Sequence, residues 1–222
     1  PVWTTNTPVK AGSATVGYVG VSIDLTDRKA ADAYIEHQAS HDQLTDLPNR
    51  QRLSETIDRW FAESGHHPLR LSIVLIDLGD AAIATDALGH SAADLVVVAS
   101  AALVRDEMHP GDLLSKFADQ MFVICCPHAP GAASAGAYAE HLRTRLEEPI
   151  RLTGVDVQLQ PSAAVAVAGP DADTAELLLQ RAHTALLSAR PAKTTRVYDQ
   201  SMSDSIRRQA HLVKVIDDTI ER

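Results

Sequence analysis

Ten residues near the middle of the chain, 115–124, predict a β-hairpin and thereby constrain the whole fold. Apolar residues fill both arms, and the polar pair Asp119 and Gln120 forms a two-residue turn between them. An isolated hairpin is marginally stable in water, so the rest of the chain must supply a larger sheet. The turn is chemically unusual: Ala118 stands where glycine is favoured, and Gln120 and Met121 stand where a metal site would need carboxylates.

The bulk properties describe an ordinary globular protein. The chain has 222 residues, of which 45% are hydrophobic, and its net charge of -9 argues against nucleic-acid binding. The adjacent Cys125 and Cys126 would point to opposite faces of a strand, which favours free buried thiols and a reducing cytoplasm. No apolar run approaches the ~20 residues needed to span a bilayer. We therefore expect a cytoplasmic chain without a membrane or nucleic-acid partner.

Hydrophobic periodicity predicts an α/β arrangement. The predicted helices cover 50–63, 92–106, 132–147 and a segment opened by a capping box at 173–176, and the predicted strands cover 69–76, 150–152, 155–167 and 195–198. The strands 150–152 and 155–167 are expected to form a hairpin around Gly154. Asp77 directly follows a buried strand, and ligands gather at the carboxyl ends of strands in open α/β sheets, so Asp77 is a candidate site residue.

Residues 1–26 read as two strands that run into a helix through Asp-Leu-Thr-Asp-Arg-Lys. This junction resembles the C-terminal end of PAS sensor domains. The following segment, 27–41, is predicted to be a signalling helix with Thr26 as its cap, and the resemblance implies that it pairs with its copy in a homodimer. His37 and His41 are spaced i, i+4, which is compatible with a metal, although such exposed pairs are usually not ligands.

The segment 42–50 resembles the Asp-x-Leu-Thr-x-Leu-x-Asn-Arg opening of GGDEF domains, the diguanylate cyclase family. As a local structure it is a wide turn before a helix, in which Asn49 is able to cap and Asp42 is close enough to Arg50 to form an ion pair. The resemblance implies a palm-like fold of nucleotide cyclases, with a central, mostly antiparallel sheet flanked by helices.

The segment 77–90 resembles a second part of that family, Asp-x-Asp-x-Phe-Lys-x-x-Asn-Asp-x-x-Gly-His. It retains Asp77, Asp86, Gly89 and His90, and it departs from the pattern at Gly79, Ala81, Ala82 and Thr85. The resemblance implies that Asp77 is a magnesium ligand and that Asp94 reads guanine together with the residue at position 85. Thr85 replaces an asparagine there, and the lost hydrogen bond is expected to weaken guanine binding by about 1–3 kcal/mol.

The hairpin completes the resemblance, since Lys116-Phe117-Ala118-Asp119-Gln120-Met121-Phe122 aligns with Arg-x-Gly-Gly-Asp-Glu-Phe. In the family the turn glycines adopt positive φ, so Ala118 is expected to cost about 1–2 kcal/mol in a left-handed conformation. The family's carboxylates hold two metal ions, and Gln120 and Met121 remove that charge. A shifted register would let Asp119 or Asp80 stand in for them.

Two further positions are altered. The segment 109–112 resembles the Arg-x-x-Asp site that binds the product c-di-GMP as an inhibitor, with His109 in place of the arginine and Asp112 retained. Because histidine lacks the planar fork of arginine, product binding is expected to be weak. The segment 182–190 resembles Ala-Asp-x-Ala-Leu-Tyr-x-Ala-Lys, which places Arg190 where a lysine contacts phosphate.

These resemblances predict a GGDEF domain at 42–199 and, at 200–222, a linker helix that leads into an EAL phosphodiesterase domain. Three functions remain open. The first is a catalytically degenerate GGDEF domain that acts as a regulatory and dimerisation module between PAS and EAL neighbours. The second is a sensor that binds GTP without turnover, and the third is a weak diguanylate cyclase. No cofactor is expected to be required, and magnesium and GTP are expected to bind weakly.

Overall fold

The computed structural model describes residues 2–65, 69–79, 90–127, 129, 131–152 and 154–205. The chain divides into two compact units, one ending at His41 and the other beginning at Asp42. No helix in these described ranges combines the length and the hydrophobicity needed to cross a membrane.

The first unit is an antiparallel pair of strands followed by a helix: β1 (Val2–Ala11), β2 (Ala14–Asp24) and α1 (Thr26–Ser40). The prediction that Thr26 caps this helix is wrong, because Thr26 is its first residue. The Thr26 hydroxyl instead donates to a carboxylate oxygen of Asp24 at 2.6 Å, and the same oxygen accepts from the Thr26 amide at 2.9 Å. Asp24 therefore binds the free backbone donor at the start of α1.

Among the described residues from 42 to 199, the second unit contains four α-helices and seven strands. In chain order they are α2 (Arg50–Ser64), β3 (Ser72–Asp77), α3 (His90–Asp106), β4 (Leu113–Ala118), β5 (Met121–Cys126), α4 (Ala132–Glu147), β6 (Ile150–Leu152), β7 (Val155–Val157), β8 (Ser162–Val167), α5 (Ala175–Ala189) and β9 (Thr195–Val197), with a 3-10 turn at Arg190–Ala192 before β9. Residues 200–205 begin a further helix, and the rest of the predicted linker helix lies outside the described residues.

Five of these strands form the central sheet, in the order β4-β5-β3-β8-β9. All neighbours are antiparallel except β8 and β9, which are parallel. The expected palm-like fold, a mostly antiparallel sheet flanked by helices, is confirmed. The predicted hairpin of β4 and β5 is also confirmed, with Asp119 and Gln120 as its turn.

The sheet is covered on both faces, and β3 lies at its centre. Val74 and Ile76 belong to a core cluster that includes Val96 of α3 and Leu142 of α4. Ile73 and Leu75 belong to a second cluster that includes residues of α2 and α5. Because alternate residues of a strand point to opposite faces, the unbroken apolar run of β3 reflects burial on both sides.

Two local predictions in the C-terminal half are wrong. The strand expected at 155–167 is two strands, β7 and β8, which belong to different sheets. Pro161 lies between them and has no amide proton for a sheet hydrogen bond. The cap of α5 is Thr174 and not Asp173, since the Thr174 hydroxyl accepts from the Leu177 amide at 3.3 Å.

Gly79, just beyond β3, holds the chain against a neighbouring backbone segment. Its φ is +78°, and a Cβ atom built on it would lie 2.6 Å from the carbonyl oxygen of Gln160. A side chain at this position would therefore meet both conformational strain and a backbone clash. The departure of Gly79 from the acidic family residue thus has a structural cause.

We predict that Gly79→Ala destabilises the fold more than Gly154→Ala does. Gly154 also has a positive φ, +91°, but a Cβ there would meet no atom within 4 Å. Gly154→Ala should cost about 1–2 kcal/mol from the left-handed conformation alone, and Gly79→Ala more, because the Gln160 carbonyl must also move. Urea unfolding of both variants measures the difference, and equal losses would contradict the role assigned to Gly79.

Candidate functional site

Three of the residues selected from the sequence meet at the carboxyl end of β3. Asp77 is the last residue of that strand, and it pairs in register with Met121 on β5 and with Ser162 on β8. Arg190 follows α5 directly, in the 3-10 turn that leads to β9. The antiparallel register and the position of α5 against the sheet bring these side chains together.

The carboxylate of Asp77 forms an ion pair with the guanidinium of Arg190. Nε of Arg190 donates to Oδ2 of Asp77 at 2.6 Å, and the backbone amide of Gly79 donates to Oδ1 at 3.2 Å. The side chain of Asp77 is 13% exposed and that of Arg190 is 37% exposed, so the ion pair is partly shielded from water. Both oxygens of the carboxylate already have hydrogen-bond donors.

Met121 completes this arrangement. Its sulfur atom lies 3.5 Å from a terminal nitrogen of Arg190, and a thioether is a weak hydrogen-bond acceptor. The guanidinium is therefore placed between a carboxylate and a soft, uncharged atom. The sequence indicated Arg190 as a phosphate contact but did not predict its pairing with Asp77.

The described residues at this strand end do not suit a pair of magnesium ions. Magnesium requires several oxygen ligands in near-octahedral geometry, and Asp77 supplies one carboxylate that a guanidinium already neutralises. No group of three His, Cys, Asp or Glu side chains that would hold a metal occurs among the described residues. Asp80 and Thr85 lie outside those residues.

The hairpin turn is stabilised by hydrogen bonds from the side chain of Lys116. Its ammonium group donates to the carbonyl oxygen of Ala118 at 2.8 Å and to that of Asp119, and the side chain is buried. Burial lowers the pKa of Lys116, while nearby carboxylates oppose that shift. These carboxylates belong to Asp42, Asp119 and the exposed guanine-reading candidate Asp94 on α3.

The expected left-handed conformation of Ala118 is wrong. Among the described non-glycine residues, positive φ occurs only at Asp46 and Lys193. The register of β4 and β5 shifts between Lys116 and Ala118, so that Ala118 pairs directly with Met121. The irregularity in β4, together with the bonds from Lys116, lets the hairpin close without turn glycines.

The expected ion pair between Asp42 and Arg50 is also wrong. The carboxylate of Asp42 accepts from the amide and the hydroxyl of Thr45, at 2.9 and 2.7 Å. The guanidinium of Arg50 lies over the ring of Phe117, 4.8 Å from its centroid. Asn49 does cap α2, as predicted, by accepting from the Arg52 amide at 3.0 Å. The aromatic contact requires β4 to pack near α2, which the local sequence does not reveal.

The product-site candidates His109 and Asp112 lie together at the other end of β4. The carboxylate of Asp112 accepts from the His109 amide at 3.0 Å and from the Tyr138 hydroxyl at 3.2 Å. Burial and the Asp112 carboxylate raise the pKa of Tyr138, which keeps its hydroxyl protonated as a donor. An open cavity of about 600 Å³ borders His109, Tyr138 and His141. The contact from Tyr138 was missed because it comes from α4, far along the chain.

The two groups of candidate residues are well separated. Asp112 precedes the first residue of β4, and the turn follows its last, so the six residues of the strand lie between them. At the usual rise of a strand this is about 20 Å. A ligand at one group would not contact the other.

Comparison with known proteins identifies the family of this chain. The family model described as the diguanylate cyclase GGDEF domain matches residues 39–196. This match spans most of the chain, and the chain therefore belongs to the GGDEF family.

Individual relatives show the same likeness. The diguanylate cyclase TpbB of Pseudomonas aeruginosa is 32% identical over 161 residues, which are 72% of this chain and 37% of TpbB. The bifunctional diguanylate cyclase/cyclic di-GMP phosphodiesterase MucR of the same species is 25% identical over 203 residues, 90% of this chain and 30% of MucR. The chain thus spans well under half of these relatives. A solved GGDEF domain of TpbB superimposes with a TM-score of 0.68 at 28% identity, covering 75% of this chain and 99% of that domain.

We predict that Asp77 and Arg190 are energetically coupled. Asp77→Asn and Arg190→Gln should each lower the free energy of unfolding by about 1–3 kcal/mol, since each leaves a partly buried charge without its partner. The double variant should lose about 1–2 kcal/mol less than the sum of the two. Chemical unfolding of the four proteins measures this coupling.

Arg196→Gln is the matched control for that cycle, because Arg196 is exposed on β9. It removes the same charge and should change stability by less than ~0.5 kcal/mol. Strict additivity of the Asp77 and Arg190 variants would show that the ion pair contributes nothing.

Proposed function

We propose that this chain contains a catalytically degenerate GGDEF domain that regulates a neighbouring EAL phosphodiesterase in c-di-GMP signalling. The observation that carries the proposal is the pairing of Asp77 with Arg190 opposite Met121. A guanidinium supplies a positive charge at the strand end without a metal. It offers no open coordination position for a nucleotide, so the pair serves stability and not turnover.

The chemistry of the reaction makes this substitution decisive. Joining two GTP molecules needs a 3′-hydroxyl that loses its proton and an α-phosphate that is polarised, which the family achieves with metal ions. Among the described residues, the strand end retains the one carboxylate of Asp77, and the side chain of Met121 has no oxygen. Asp119 lies at the exposed turn between β4 and β5, outside the register that pairs Asp77 with Met121.

The relatives support the signalling context. MucR, whose name gives it both cyclase and phosphodiesterase activities, is similar over 90% of this chain. We accordingly propose that a PAS domain precedes α1 and that an EAL domain follows the GGDEF domain. We also propose a cytoplasmic location. Dimerisation through α1 agrees with the exposure of Tyr34 and Ile35, each 63% accessible on that helix.

GTP binding without turnover is the second candidate function. It is favoured by Asp94, which stays exposed on α3 and close enough to act on the Lys116 charge. A nucleotide sensor would use Asp94 for guanine and pass binding on to the phosphodiesterase. A weak cyclase that uses Asp77 with Asp119 or Asp80 is the third candidate. An experiment with GTP and magnesium that measures both binding and product separates all three.

We predict that the chain forms no c-di-GMP from GTP and magnesium. The expected result after prolonged incubation is less than one product molecule per protein, measured by liquid chromatography, because the described strand end cannot hold the metal pair. A parallel incubation with the GGDEF domain of TpbB serves as the control. Multiple turnovers that Asp77→Ala abolishes would establish the weak cyclase and refute degeneracy. Calorimetric binding of GTP without product would favour the sensor.

We predict that c-di-GMP binds weakly at the His109 group and that His109→Arg tightens it. A guanidinium there can bind phosphate or guanine through two hydrogen bonds, so the gain should be about tenfold, or ~1.4 kcal/mol. His141→Arg adds the same charge at the border of the same cavity and is the matched control. Calorimetry measures both variants, and an equal gain from each would show that charge alone matters.

A further inference from the structure

A cavity of about 690 Å³ lies between α2, α5 and the tip of the hairpin, and no role proposed above uses it. Its lining among the described residues comes from those three elements. Its size is within the range typical of small-molecule sites. It opens on the face of the sheet that α2 and α5 cover, beside Met121.

One end of this cavity is basic. Arg50 lines it, and no carboxylate in the described part of the chain lies within ion-pair distance of its guanidinium, which rests on Phe117. His183 lines it as well, and no described group forms a hydrogen bond with its imidazole. Burial lowers the pKa of His183, and the nearby charges of Arg190 and Arg50 lower it further. An anion bound here would accept hydrogen bonds from Arg50 and His183, and its charge would favour the protonated form of His183.

The other end is acidic. Glu176 lies in the first turn of α5, seven residues before His183, which is about 10 Å along the helix axis. Asp58 of α2 lies beside it, and its carboxylate accepts from the Ala175 amide at 2.8 Å. Both residues are exposed, but the Asp58 carboxylate is already engaged at the start of α5. Glu176 is therefore the acceptor that we assign to a ligand.

The floor between the two ends is apolar. Phe117, Met121 and Leu179 all line the cavity, and the three belong to or pack against the core cluster on this face. A flat ring is the shape that fits a surface made of an aromatic ring, a thioether and an aliphatic side chain. Met121, which removes a metal ligand from the strand end, here contributes packing surface.

We infer that this cavity binds a ligand of mononucleotide size, with an anionic group at Arg50 and His183 and a ring whose N–H donors reach Glu176. Guanine presents two adjacent N–H donors, a pattern that a carboxylate accepts. The site is distinct from the strand end of Asp77 and from the His109 group, and it stands independently of the proposed function.

Titration calorimetry with GMP, CMP and inorganic phosphate tests this inference. GMP should bind the wild-type chain at least tenfold more tightly than inorganic phosphate, and more tightly than CMP, because only GMP uses all three parts of the cavity. Arg50→Gln should weaken GMP binding tenfold or more. Glu176→Gln should reduce the preference for GMP over CMP and leave phosphate binding unchanged.

The pH dependence supplies a second, independent readout. Because the anion favours the protonated imidazole, the ratio of wild-type affinity to His183→Gln affinity should rise as the pH falls from 8 to 5.5. Using the ratio cancels the titration of the phosphate itself, which both proteins experience. Groups that face His183 from the packed elements are Arg50 on α2 and Arg190 after α5, and both keep their charge over this range.

Two controls separate this cavity from the family's nucleotide site. Arg59→Gln removes a positive charge from an exposed position on α2, and Asp94→Asn removes the candidate guanine reader on α3. Arg59→Gln should change GMP affinity by no more than twofold, and GMP binding at the cavity should persist in Asp94→Asn. The inference is overturned if GMP binds more weakly than ~10 mM, if Arg50→Gln binds it like the wild type, or if Asp94→Asn alone abolishes binding. Should Arg50→Gln not fold, the exposed positions Glu176 and His183 carry the test.

Discussion

Burial of the central strand on both faces is the constraint from which the rest of the second unit follows. Residues 72–76 of β3 are completely inaccessible, so helices must cover both sides of the sheet. Asp77 is the first polar side chain that the strand presents beyond this buried run. A partly buried carboxylate needs a compensating cation, and here Arg190 supplies it from the end of α5. The charge of Asp77 is thereby neutralised by a side chain of the same domain.

The hairpin is likewise stabilised by a positively charged side chain of the domain itself. A lysine held under the turn donates to two turn carbonyls, and an irregularity in β4 brings Ala118 opposite Met121. Together these allow a tight reversal without glycine. The loss of family glycines and carboxylates is therefore accompanied by contacts that hold the altered loop in one shape.

Positively charged side chains surround this loop on two sides. Arg190 is neutralised by Asp77, while Arg50 and His183 line a cavity on the α2 and α5 side. Met121 contributes to both places, since its sulfur contacts Arg190 and its side chain lines the cavity. A change at this one position therefore bears on the metal chemistry at the strand end and on the apolar surface beside it.

The sequence by itself determined the family, the hairpin with its two-residue turn, the cap at Asn49 and most helix bounds, because these depend on local periodicity and turn chemistry. It missed the break between β7 and β8, which pair in different sheets, and it misplaced the cap of α5 by one residue. The tertiary structure alone decided the partners of the site residues. Arg190 is 113 positions from Asp77, and the requirement for glycine at 79 comes from the carbonyl of Gln160. Such contacts are set by strand register and helix packing, which no local pattern encodes.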